Sequence, residues 1–385
     1  MKILHVIPSI DPKYGGPSKA VLDIAEACSR DGLNVSIAFG HRPDELPFIK
    51  ETEIQLERIK FYPFLYSFPE RYSASRDLGV WLQESVIDFD LVHIHSIFSL
   101  TSLRAGRIAA AQGVPYIVRP AGSLDRFDLQ KKRWLKDAIA RWTVRRLLQD
   151  AVAIHCTSMK EEYGLDTFGV NVPVKVLPLP VMASHEAGDG SIFRRRYGFA
   201  ETDFVWLFLS RIDYKKGLDI LIPTLALLSE KHPNIRVALC GADLDGYGSL
   251  VRAWIDKYRV WDKVRWCGLL TGEEKAHALA GSNCFVLPSM NENFGVAVVE
   301  ALLAGLPVVV SENVYISNEI AEGGAGWITK PTVESLASVM STVMDHSSEL
   351  EQKRKRTKDA GERFGSEKIA PMYSEFYKEI VGKTK

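Results

Sequence analysis

Short apolar runs bounded by turn residues alternate with amphipathic stretches of helical period along most of the chain. In the first half, Ile3 to Ile7, Asn34 to Phe39, Leu91 to His95, Tyr116 to Val118 and Ala151 to Cys156 read as strands. Helical runs lie between them, among them Ser18 to Ser29, Leu78 to Ile87 and Thr101 to Gln112. The alternation restarts with strands at Val205 to Leu209, Ile235 to Cys240, Val264 to Cys267, Cys284 to Leu287 and Pro307 to Val310, and a helix at Leu218 to Glu230. Strand and helix in turn predict an α/β protein built on doubly wound parallel sheets. Between the halves, Val176-Leu-Pro178-Leu-Pro180 runs into a small, polar stretch. The expected organisation is a first Rossmann-like domain at 1–182, a linker at 183–191, a second Rossmann-like domain at 192–365 and a helical, charged tail that includes 366–385.

Composition narrows the class. With 385 residues the chain is long enough for two separate cores, and 46% hydrophobic with 25% charged residues is ordinary for a globular protein. Lys plus Arg and Asp plus Glu both number 48, so net charge gives no reason to expect a nucleic-acid partner. The five cysteines, at 28, 156, 240, 267 and 284, include no Cys-x-x-Cys pair and read as buried thiols in a reducing compartment. Met1 to Ile7 is broken by Pro8 and reads as a first strand rather than a leader. No apolar run approaches a membrane span, so the expected location is cytoplasmic, with peripheral contact at the inner membrane face as an extension of that reading.

Chemistry concentrates in Pro288-Ser-Met-Asn-Glu292-Asn-Phe-Gly295-Val-Ala-Val-Val-Glu300, which follows a strand and runs into a helix closed by Gly305 and Pro307. With a helix beginning near Phe294, the amides of Phe294, Gly295 and Val296, beside Asn293, form a positive end that attracts phosphate. Glu300 then lies about 9 Å along the axis, where a ribose diol would reach it, and Glu292 stands at the mouth, where hydroxyls of a hexose would. The plain alternative is two acidic partners of a helix dipole. A second cluster, Ser210-Arg211-Ile-Asp-Tyr-Lys-Lys216-Gly217, leaves the carboxyl end of a buried strand, the place where open α/β sheets bind ligands. Arg211 offers a planar fork and Lys216 a point charge to a diphosphate, while Lys215 is expected to face solvent.

Arg211 with Lys216-Gly217, the Glu292-x7-Glu300 pattern within Ser289-x-x-Glu-x-Phe-Gly, and Ala304-Gly305-Leu-Pro307-Val308 together resemble the retaining glycosyltransferases of family 4, also called group 1. The resemblance runs from the first glycine loop to about residue 330. It implies the GT-B fold, two Rossmann-like domains facing across a cleft, with the last helix returning to the first domain. It also implies that Arg211 and Lys216 bind the diphosphate of a nucleotide sugar, Glu300 the ribose and Glu292 the donor sugar. The activity implied is transfer of a hexose, UDP-glucose being the expected donor type, to a glycan or lipid-linked glycan in polysaccharide biosynthesis.

Candidates on the acceptor side lie in the first half. Gly15 and Gly16, after the first strand, offer unobstructed amides to a phosphate, and the resemblance makes theirs the loop that touches donor phosphates and acceptor. His95 ends a strand and shares a face with His93, but no third ligand suggests a metal. In Arg119-Pro-Ala121-Gly122-Ser-Leu-Asp125, many relatives carry His where this chain has Ala121; Arg119 and Asp125 are the substitute candidates. Residues 131–150 interleave basic side chains with Trp134 and Trp142, either as a helix packed on its own domain or as one that docks on anionic lipid. Asp88-Phe-Asp90 and Asp243-Leu-Asp245 have metal-binding spacing, but Arg211 and Lys216 already supply positive charge, so no metal or other cofactor is expected. A sugar-nucleotide epimerase and a non-catalytic nucleotide-sugar-binding protein are the competing readings.

Overall fold

A computed structural model describes residues 1–67, 74–123, 142–166, 169–182 and 188–384. Its contacts divide the chain into two units, Met1–Pro180 with Ser366–Lys385, and Val181–Gly365. The first unit holds β1 (Lys2–Ile7), β2 (Asn34–His41), β3 (Lys60–Leu65), β4 (Leu91–His95), β5 (Tyr116–Arg119), β6 (Ala153–Cys156) and β7 (Val174–Val176), in the order β3-β2-β1-β4-β5-β6-β7. The second holds β8 (Phe204–Leu209), β9 (Ile235–Cys240), β10 (Val264–Gly268), β11 (Cys284–Leu287), β12 (Val308–Ser311) and β13 (Gly326–Thr329), in the order β10-β9-β8-β11-β12-β13. All recorded pairings are parallel. Both units are therefore doubly wound Rossmann-like sheets, with winding that reverses between β1 and β4 and between β8 and β11. Such reversal points open a crevice at the carboxyl ends of the strands.

Central strands are buried along nearly their whole length, and those of the second sheet are almost wholly apolar, as a parallel sheet covered on both faces requires. The sequence pattern misses β3, β7 and β13. Each lies at a sheet edge, or in β3 alternates exposure and carries Pro63, because an edge strand needs less apolar side chain and tolerates a missing amide. Described residues 188–191 of the expected linker belong to the second unit. Residues 183–187 lie outside the described residues, but Gly188 and Gly190 pack into the second unit, where a Cβ would come 2.0 Å from the Ala276 carbonyl oxygen and 2.6 Å from that of Ala280. These glycines serve close packing of helix Gly190–Tyr197 on helix Gly272–Gly281 rather than a flexible joint.

The tail forms helices Ser347–Glu362 and Ser366–Thr384, and the second of these belongs to the first unit. Tyr373 and Tyr377 of that helix are buried on a polar face of the sheet formed by His5, His93, His95, Arg119 and His155. Donor and acceptor roles follow from two fixed points. The Arg119 guanidinium can only donate, so its Nε bond of 3.0 Å to His95 Nδ1 leaves the His95 proton on Nε2, which donates to His5 Nδ1 at 2.8 Å. The Leu177 carbonyl can only accept from His155 Nε2, so His155 Nδ1 accepts from His93 Nε2, and His93 Nδ1 accepts from the Tyr377 hydroxyl at 2.8 Å. Two directed chains thus cross the face, and His5 Nε2 is left buried without a partner among the described residues.

His95 and Arg119 consequently stand elsewhere than at an open strand end. Both are buried, His95 completely, because the final helix and the helix Gly16–Arg30 cover this face of the sheet. Burial holds His5 and His155 down to about 3 and His93 and His95 well below the usual imidazole range, with Arg119 adding repulsion. The folded chain keeps these rings neutral, whereas the unfolded chain protonates them below 6.5. Stability is expected to be full above that pH and to fall as pH drops from 7.5 to 5, each ring adding a slope of up to about 1.4 kcal/mol per pH unit. Urea unfolding across this range measures it, and a flat profile would contradict neutral burial.

Candidate functional site

In the second unit the switch point is built by backbone contacts between the loops that follow β8, β11 and β12. After β8, Asp213 accepts from the Lys215 amide at 3.0 Å and turns the chain through Tyr214–Lys216. Gly217 then takes φ of 73° and lies so near the exit of β11 that a Cβ would come 2.0 Å from the Pro288 carbonyl oxygen. The Met290 amide donates to the Lys215 carbonyl at 2.7 Å. On the other side, Ser311 Oγ donates to the Ser289 carbonyl, the Glu292 amide to the Asn313 carbonyl at 3.1 Å, and the Tyr315 amide to the Glu292 carbonyl at 3.0 Å. Pro288 to Gly295 is thereby gripped from both neighbours.

Two predicted residues meet at the centre. Lys216 Nζ lies 2.5 Å from Glu292 Oε2, and the Lys216 residue is only 8% exposed. Arg211, from the same loop as Lys216, has no hydrogen-bond or ion-pair partner for its guanidinium among the described residues. Lys215 exchanges backbone contacts as above, with its ammonium over the Tyr214 ring.

The helix begins later than the sequence suggests, at Val296, and runs to Leu303. Gly295 caps it at φ of 86°, and Phe294 is buried with its ring edge-on to Phe364 at 5.5 Å. Phe294 therefore anchors the loop in the core rather than opening the helix. Asn293 is partly buried between it and Glu292. The amides at the positive end are those around Gly295, Val296 and Ala297, and Glu300 lies about 6 Å along the axis from Val296 instead of about 9 Å. Glu300 also has a partner that sequence reasoning missed: Lys275 Nζ, from helix Gly272–Gly281, lies 2.7 Å from Glu300 Oε1. Nothing in the local sequence around Lys275 signals this, since the pairing arises from helix packing.

Of the two aspartate pairs, Asp243 Oδ2 accepts from the Gly248 amide at 3.1 Å and Asp90 Oδ2 from the Lys2 amide at 2.8 Å. One member of each is thus engaged in holding backbone.

The first unit places Gly15 and Gly16 at its own switch point. Asp11 caps the turn Pro12–Tyr14, Gly15 has φ of 81°, and the helix opens at Gly16 beside open space. Buried Glu45 holds Lys13 at 2.6 Å and so fixes this loop from the far side. Arg119 reaches the loop from beneath, its Nη2 donating to the Pro17 carbonyl at 3.3 Å. Ala121 sits at φ of 55°, and the next amide, Gly122, donates to Glu161 Oε1 at 2.6 Å. Asp125 and residues 131–141 lie outside the described residues. A third histidine near His93 and His95 does exist, His5, which pairs in register with His93 across β1 and β4. Nitrogens of the three rings lie within 4.8 Å of one another. His95 is already committed on both nitrogens, and Arg119 puts a buried cation beside it, so the cluster is arranged as a hydrogen-bonded network.

Comparison with known proteins covers most of the chain. The family model for group 1 glycosyl transferases matches residues 190–364, and that for the glycosyl transferase 4-like domain matches residues 15–180. The alpha-monoglucosyldiacylglycerol synthase of Streptococcus pneumoniae is 24% identical over 278 residues, 70% of this chain but 62% of that protein. The GDP-mannose:cellobiosyl-diphosphopolyprenol alpha-mannosyltransferase of Xanthomonas oryzae is 24% identical over 400 residues, 99% of this chain and 98% of that protein. Among solved structures, Anabaena HepE in complex with UDP-glucose superposes with a TM-score of 0.80 at 20% identity, covering 98% of this chain and 100% of that one. Sucrose-phosphate synthase from Thermosynechococcus elongatus gives 0.80 at 16% identity and 99% of each chain. With both halves matched by paired family models and the fold shared along the whole length, the chain belongs to the group 1 glycosyl transferases and has the GT-B fold.

Proposed function

We propose that the protein transfers a hexose, with retention of configuration, from a nucleoside-diphosphate sugar of the UDP-glucose type to a hydroxyl of a glycan or lipid-linked glycan. The observation that carries this reading is the Lys216–Glu292 pair at the β8/β11 switch point, with Arg211, unpaired among the described residues, on the Lys216 loop and the positive end of helix Val296–Leu303 after the Glu292 loop. That group of charges matches a diphosphate flanked by two sugars. HepE, which has the same fold, was solved with UDP-glucose, and the relatives from Streptococcus and Xanthomonas are named for a glucosylated diacylglycerol and a diphosphopolyprenol-linked sugar. A lipid-linked acceptor also suits the described end of 131–150, where Val144, Leu147 and Leu148 are buried and Trp142 is 72% exposed. No described helix is long and apolar enough to cross a membrane.

In this mechanism the diphosphate lies against Arg211, Lys216 and the helix amides, Glu300 accepts from the ribose and Glu292 from the hexose. Lys216 has Glu292 as counterion until phosphate oxygen arrives. The acceptor oxygen attacks the anomeric carbon on the face from which the diphosphate leaves. As the bond to the diphosphate breaks, its electron pair goes to the phosphate oxygen, which takes the proton of the attacking hydroxyl. Negative charge growing on that oxygen is met by fixed positive groups, a larger effect in a site with little water. These cations make a divalent ion unnecessary for charge neutralisation.

Lys216→Ala is expected to lower turnover about a hundredfold or more while the variant stays folded, as loss of a preorganised charge donor does. Near-normal turnover by a folded variant would remove Lys216 from the mechanism. Chelation with EDTA is expected to leave turnover unchanged, and a loss restored by a divalent ion would contradict the metal-free reading. Mass spectrometry after incubation with a panel of sugar nucleotides and acceptors should show free nucleoside diphosphate together with glycosylated acceptor. An altered sugar nucleotide without acceptor would indicate an epimerase, and binding without any product a non-catalytic protein.

A further inference from the structure

The Lys275–Glu300 pair is not explained by the donor site as read from the sequence, in which Glu300 alone receives the ribose. We infer that Lys275 and Glu300 act together as one ribose-recognising unit, the carboxylate accepting from a ribose hydroxyl and the ammonium donating to one. The inference rests on the reading of Glu300 as the ribose residue and adds a specificity residue to it.

Chemical capacity supports the pairing. A carboxylate offers about four acceptor sites over its two oxygens, and an ammonium three donors. Lys275 spends one donor on Glu300 Oε1 at 2.7 Å, and the remaining two have no partner among the described residues. Each ribose hydroxyl carries one proton and two lone pairs, so a carboxylate alone satisfies only its donating side. Adding the ammonium supplies what the lone pairs need. The side chains are 21% and 11% exposed, so the pair is largely withdrawn from water.

Charge gives a second reason. Glu300 lies on the same short helix whose amino end faces the diphosphate, and a bare carboxylate there would repel an anionic ligand. With Lys275 attached, the ribose end of the site is neutral, and the positive charge of Arg211 and Lys216 is left for the phosphates. The pair spans two helices, Gly272–Gly281 and Val296–Leu303, so packing of one helix sets the orientation of the carboxylate on the other. Lys275 is therefore both a positioning group for Glu300 and a hydrogen-bond donor to the sugar.

The test compares the tightest-binding of UDP, GDP and ADP with its 2′-deoxy analogue by calorimetry. Wild type is expected to favour the ribonucleotide by about tenfold or more, since a buried polar pair is left unmatched when the hydroxyl is missing. Lys275→Met, which keeps the stem and removes the donors, should reduce that preference at least about threefold, whereas Lys275→Arg should retain most of it. Inhibition by inorganic pyrophosphate should be the same in wild type and Lys275→Met. An unchanged ribose preference in Lys275→Met, or an equal loss of pyrophosphate affinity, would overturn the role at the ribose while leaving the donor site intact. Failure of wild type to bind any of the three diphosphates would instead overturn the donor site itself, and the ribose assignment with it.

Discussion

The second unit depends on how closely the loop after β8 approaches the exit of β11. That approach is set by backbone: Gly217 has no room for a Cβ against the Pro288 carbonyl, and the Met290 amide pairs with the Lys215 carbonyl. Lys216 lies between these two points, buried and paired with Glu292. Strands β8 and β11 are apolar throughout, so the sheet fixes where the loops start and the glycine fixes how near they come. A cation and a carboxylate held this way have already lost the side-chain entropy that an exposed pair would lose on ordering. The same rigidity is what charge stabilisation in a transfer reaction needs, because groups that need no rearrangement act at once on developing charge.

The first unit solves a different problem with similar means. Its sheet carries four histidines and an arginine on a face that is covered by helices, and burying such groups is costly unless each finds a partner. Tyrosines of the final helix and carbonyls at Pro17 and Leu177 provide most of them, and His5 Nε2 stays buried without a partner among the described residues. Arg119 remains charged within this face, with burial lowering its basicity only from a very high starting value. Its second contact, to the Pro17 carbonyl, ties that charge to the glycine loop at the switch point. The loop at Gly15 and Gly16 is thus held from below by a cation and from the side by the Lys13–Glu45 pair.

Both sheets and the charged residues of the loops at the β8/β11 switch point were legible in the sequence because they are written in local patterns. Runs such as Phe204 to Leu209 are apolar since both faces are covered, and Arg211, Lys216, Glu292 and Glu300 stand at strand exits or just inside a helix. Three of the four edge strands were not legible, because runs such as Lys60 to Leu65 and Gly326 to Thr329 need no continuous apolar stretch. Gly188 and Gly190 looked like a linker, since a glycine that permits close packing has the same local context as one that permits bending. The start of the helix was misplaced by the apolar Phe294, whose partner Phe364 is distant in sequence. Pairings were hidden for the same reason: Lys216 and Glu292 are 76 residues apart, Lys275 and Glu300 25, His5 and His95 90.

The return of the last helix to the first unit has a consequence for the order in which the protein is made. Residues Met1–Pro180 are made well before the last helix, and the face carrying His93 and His155 lacks its tyrosine partners until Ser366–Thr384 has been synthesised. The second unit, Val181–Gly365, is continuous in the chain and has all of its strands before that point. Domains generally fold as units during synthesis, starting from the amino end. Here the later-made unit is the one that can finish first, and the sheet of the first unit waits with part of its polar face unsatisfied until Ser366–Thr384 has been made.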